Sequence, residues 1–103
     1  MLTTQQHERL RQFFGAYFHE DFLLDSPSPD AVVDLYLHDH DAMEIQNLAG
    51  DILHLLQETA GADLDRRLYR EYGCNYLPEA DRLTRAEWLL RLATKLKTAS
   101  NQS

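Results

Sequence analysis

An all-α domain, a single compact bundle of about five helices, is the fold class this sequence predicts. Three observations lead there. Apolar residues recur at helical spacing along nearly the whole chain. No segment of four or more residues alternates apolar and polar with β-branched enrichment. With only two Val and two Ile, a sheet has little material.

Each element has its own signal. Leu10, Phe13, Phe14, Tyr17 and Phe18 follow the i, i+3, i+4, i+7 pattern of one helix face. Thr3 and Gln6 have capping-box spacing, which starts this helix near Thr4. Gly15 inside it costs about 1 kcal/mol against alanine and suggests that another element packs closely there. Asp25-Ser26-Pro27-Ser28-Pro29 breaks the pattern. Pro29 suits a first helical position with Ser28 as N-cap, giving a second helix over 29–38. Asp41-Ala42-Met43-Glu44 resembles another capping box and opens the longest helix, 42–60. Its stripe is Ile45, Leu48, Ala49, Ile52, Leu56 and Ala60, widened by Leu53 and Leu55, with Gly61 as the C′ residue. A short fourth helix covers 64–72 and ends at Gly73. Residues 74–83 read as a loop around Pro78. Thr84-Arg85-Ala86-Glu87 is a strong capping box before Trp88, Leu89, Leu92 and Leu96; this helix is expected to end near Thr98. The domain therefore spans 1–99, with a frayed tail at 100–103.

Charge is distributed unevenly. Between Arg11 and Arg66 there is no Lys or Arg, yet there are twelve acids: Glu20, Asp21, Asp25, Asp30, Asp34, Asp39, Asp41, Glu44, Asp51, Glu58, Asp63 and Asp65. Exposed helices ordinarily mix signs, because i, i+4 ion pairs add a few tenths of a kcal/mol each. A field of one sign repels itself and fits a basic partner. The net charge of −7 argues against nucleic acid or an anionic membrane as that partner. The single Cys74 forms no internal disulfide, in keeping with a reducing cytoplasm, and reads as a small buried apolar residue. The N-terminus lacks the pattern of a signal peptide, and no apolar run reaches the ~20 residues of a membrane span.

Catalytic constellations are weak. His19-Glu20-Asp21 and His38-Asp39-His40-Asp41 contain metal-ligating residue types, so a small metal-dependent enzyme is one alternative. Neither Glu-x-x-His nor His-Glu-x-x-His occurs, and His38 and His40 diverge at a helix end. Nucleophile elbows and phosphate loops are absent. An acidic adaptor or antitoxin-like regulator, including a DNA mimic, is a further alternative.

Phe14-Gly15-Ala16-Tyr17-Phe18-His19-Glu20-Asp21-Phe22, followed by Ser28-Pro29-Asp30-Ala31-Val32-Val33, resembles the N-terminal signature of the CdiI family. These are small helical immunity proteins of bacterial contact-dependent growth inhibition systems. Gly73-Cys74-Asn75-Tyr76-Leu77-Pro78 and Trp88-Leu89 match the family's later motifs in order, so the resemblance spans residues 10–92. Phe22 stands where the family more often has Trp, and the loop before Thr84 lacks the family's glycine. The resemblance implies binding to the C-terminal toxin domain of a CdiA-type protein, often a nuclease, with no catalysis and no cofactor. A nuclease cleft is basic, which is where charge and resemblance meet. The expected contact surface is Asp30, Asp34, Asp39, Asp41, Glu44 and Asp51. Glu20 and Asp25 are outer candidates, and Tyr36 or His40 is a candidate aromatic anchor. The free protein is expected to be a cytoplasmic monomer.

Overall fold

In the computed structural model, residues 2–18, 28–59, 61–74 and 82–101 are described. Helix α1 is Thr4–Tyr17, α2 Pro29–Asp39, α3 Ala42–Glu58, α4 Gly61–Arg66 and α5 Arg85–Asn101. A π-helical turn, Arg67–Glu71, continues α4. No strand occurs among the described residues, so the fold is all-α.

The helix starts follow from side chains three residues apart. Thr3 accepts from the Gln6 N–H at 3.1 Å, and Gln6 Oε1 accepts from the Thr3 N–H at 2.8 Å. Ser28 caps α2 ahead of Pro29. Asp41 Oδ1 accepts from the Glu44 N–H at 2.9 Å and so caps α3. At α5, Glu87 accepts from the Thr84 N–H at 3.0 Å and Thr84 from the Glu87 N–H at 3.1 Å. These bonds satisfy N–H groups that a helix leaves open, and they hold the exposed Glu87 carboxyl below its usual range.

The helix ends differ more from expectation. Helix α3 stops at Glu58, because Thr59 is extended and its hydroxyl accepts from Arg67 Nη1 at 2.6 Å. Gly61 opens α4 instead of closing α3. Helix α5 continues past Thr98 to Asn101, and the Ser100 hydroxyl donates to the Lys97 carbonyl at 2.9 Å. Gly73 does terminate its segment, at φ +71°, a left-handed conformation suited to glycine.

Helices α3 and α5 form the central pair, with α1 packed against α3, α2 against α1, and α4 against α5. Leu48, Ile52 and Leu55 of α3 and Leu89 and Leu96 of α5 are fully enclosed. Phe13, Phe14 and Phe18 fill the space beside them, and Phe18 meets Trp88 edge-on at 5.2 Å between ring centres. Burying each such ring contributes roughly 1.5–3 kcal/mol. The turn after the π segment sits against Gly15, where a Cβ would lie 3.5 Å from the Tyr72 carbonyl oxygen. Another element does approach there, at ordinary contact distance. Cys74 is buried, as expected. No helix among the described residues is long and apolar enough to cross a membrane.

Candidate partner-binding face

Folding brings cations to much of the acidic stretch. Asp51 lies on the inner side of α3 and is 3% exposed. Arg9 of α1 donates to its Oδ2 at 2.6 Å. Burial pushes the Asp51 carboxyl up, and the Arg9 hydrogen bond and charge partly pull it back. The expectation that Asp51 belongs to an exposed contact surface is therefore corrected: it is a buried clamp between α1 and α3. Gln6 and His54 add a second link between those helices, 3.2 Å between Nε2 and Nδ1.

Lys95 of α5 reaches Asp34 at 3.0 Å and Asp30 at 3.9 Å. Asp63 pairs with Arg66, and Asp65 with Arg85. The stretch is thus not an unopposed field. Its neutralising charges come from the basic ends of the chain. The pairs on Asp30 and Asp34 are weak, because these side chains remain 88% and 66% exposed and surface ion pairs contribute about 0–1 kcal/mol.

Three consecutive acids keep their charge uncompensated at the corner where α2 turns into α3. Asp39, Asp41 and Glu44 are exposed, and none has a Lys or Arg partner among the described residues. Asp41 is held by its capping bond, and Asp39 accepts from the Tyr17 hydroxyl at 3.5 Å. Met43, between them in the chain, is 71% exposed.

Aromatic rings support this corner from behind. Tyr36 is 3% exposed and stacks on His40, with ring centres 4.1 Å apart. His40 Nδ1 lies 3.0 Å from the Tyr36 carbonyl oxygen. Tyr17 and Phe13 meet Tyr36 edge-on. A buried Tyr36 is not a protruding anchor. His40, half-buried, is the member of the stack that reaches the surface. Glu20 and Asp25 lie outside the described residues, as do His19, Asp21 and Phe22 of the signature motif and 75–78 of the later turn.

A second polar network had no sequence signal. The Tyr72 hydroxyl lies 2.7 Å from His7 Nδ1 and accepts from Arg67 Nη2 at 3.3 Å, while Arg67 Nε donates to Glu71 at 3.0 Å. These residues come from α1 and the π turn, so only tertiary packing assembles them. No group of three His, Cys, Asp or Glu that could hold a metal is present among the described residues.

Comparison with curated proteins gave no match, and comparison with solved structures gave none. The model of the family described as CdiI immunity protein matches residues 6–96, which takes in α1 through most of α5. The chain therefore belongs to the CdiI immunity protein family and is an immunity protein that binds and neutralises a cognate toxin.

Proposed function

We propose that the chain docks through the acidic corner between α2 and α3 onto a basic toxin domain, the C-terminal nuclease domain of a CdiA-type protein. One observation carries this reading: Asp39, Asp41 and Glu44 lie close together without a Lys or Arg partner, while the other described acids of the stretch, Glu58 apart, each have one. A nuclease cleft must attract phosphates. An acidic face steers toward such a cleft and covers it without chemistry of its own. Asp30 and Asp34 extend the face along α2, and exposed Met43 adds apolar area of the kind enriched at interfaces. The chain acts in the cytoplasm, where an incoming nuclease would do its damage, and it needs neither a cofactor nor a catalytic residue.

The test is association of the purified chain with its cognate toxin domain across ionic strength. The association rate constant is expected to fall by about tenfold or more between low and physiological salt. A rate constant independent of salt would rule out an electrostatic docking face.

A further inference from the structure

Tyr36 is 3% exposed, and its hydroxyl has no partner among the described residues. The ring is packed by Phe13, Tyr17 and His40. No enclosed side-chain polar atom among the described residues lacks a partner, so the hydroxyl is not sealed in. Tyr36 lines a small cavity, about 50 Å³, with Arg9, Gln12, Phe13, Tyr17, His40 and Glu44. Solvent reaches the hydroxyl, so its acceptor oxygen is open to a ligand, and a polar cavity of this size has room for one or a few waters or a small polar group.

The surrounding charge selects the group. Glu44 lies close enough to act electrostatically on the phenol, and burial together with Glu44 pushes that phenol up, keeping it protonated. Asp39 stands beside Tyr17. Arg9 also lines the wall, and its guanidinium is turned to Asp51 at 2.6 Å. The walls therefore present a phenol oxygen, the Glu44 carboxylate and aromatic rings, with Asp39 behind Tyr17. A primary ammonium matches all three, with three donors and affinity for ring faces, and it is about as large as water. A planar guanidinium spreads its charge over three nitrogens around a carbon and needs more room than an ammonium.

We infer that this cavity receives the ammonium group of one lysine of the toxin, with Tyr36 accepting, Glu44 and Asp39 supplying counter-charge, and Tyr17 supplying a ring face. The inference rests on the acidic-corner reading above and names the anchor within it.

The experiment uses n-butylammonium chloride as the probe, titrated into protein carrying ¹³C-labelled tyrosine rings and followed by NMR. Saturable shifts of the Tyr36 and Tyr17 ring signals are expected, larger than those from n-butylguanidinium chloride at equal ionic strength. Tyr36→Phe keeps the packed ring and removes only the hydroxyl. It is expected to weaken butylammonium binding about fivefold or more and to leave the melting temperature unchanged. Shifts no larger than those from sodium chloride, or equal affinity in Tyr36→Phe, would mean that the cavity holds water only and would overturn the proposal. A clear loss of stability in Tyr36→Phe would also overturn it, by showing the hydroxyl bonded inside the fold. The toxin is absent from this assay, so its failure is separate from failure of the docking reading. Charge changes at Asp39 and Glu44 would still slow toxin association if only the lysine cavity were wrong.

Discussion

A variant carrying Asp39→Lys, Asp41→Ser and Glu44→Lys is expected to associate with the toxin domain about 10- to 100-fold more slowly at low salt, because it loses electrostatic steering. The choice of substitutions follows from the structure. Asp41 caps α3 through the Glu44 N–H, so a lysine there would remove a bond worth about 1 kcal/mol. Serine removes the charge and keeps an acceptor for that N–H. Asp39 ends α2 and Glu44 lies in the first turn of α3. A cation is favourable at the first position and unfavourable at the second, each by about 0.3–1 kcal/mol, so the two nearly cancel. Stability should therefore stay within about 1 kcal/mol of the parent. Stopped-flow association at several salt concentrations, with a thermal melt as control, reads both quantities. The two curves should converge at high salt, where the charges are screened. Equal rates at low salt would remove this corner from the interface.

The second large effect concerns the clamp behind that face. Arg9→Ala is expected to destabilise the fold by about 2–4 kcal/mol at pH 7, because it leaves the Asp51 carboxylate buried without its cation. The pH dependence follows from the direction of the Asp51 shift. Its carboxyl is already pushed up by burial, with Arg9 as the main opposing influence. A carboxyl raised in the folded state contributes its stability fully below the unfolded value, about 4. That contribution is lost as pH rises through the folded value. Removing Arg9 raises the carboxyl further, so the penalty at neutral pH grows. The deficit of Arg9→Ala should shrink as pH falls toward about 4, where Asp51 takes up a proton. Urea unfolding of parent and variant at both pH values measures it. An equal deficit at the two would mean that the loss is one of packing, not of charge. Replacing both partners, with Arg9→Met and Asp51→Leu, should recover most of the stability.

The sequence was most legible where the physics is local. The caps at Thr3, Ser28, Asp41 and Thr84 each depend on residues within three positions, and each is where the pattern placed it. The helix faces were nearly as readable, because one stripe per helix meets one core, although on α3 Leu55 is enclosed and Leu56 only partly buried. Helix ends were less so. Thr59 leaves α3 because Arg67 takes its hydroxyl, and that contact exists only once the π turn has formed. The charge pattern misled in the same way. A stretch without Lys or Arg looks unopposed in one dimension, but α1 and α5 fold back and bring Arg9 and Lys95 to it. Asp51 did carry a legible hint. It stands three residues after Leu48 and four before Leu55, both fully buried, so it lies on their side of the helix. Among the described residues these pairings leave Glu58 and the corner at 39–44, and only the corner gathers three unpaired acids, which no reading along the chain could show.

Carbodiimide labelling of carboxylates, read by mass spectrometry on the free chain and on its complex with the toxin domain, tests the docking face most directly. Asp39, Asp41 and Glu44 should label readily in the free chain and become protected in the complex. Glu58 and Asp63, exposed on a different part of the surface, should label equally in both. Protection of Glu58 and Asp63 with continued labelling at 39–44 would contradict the account and move the interface to the surface they share with His7 and Arg67.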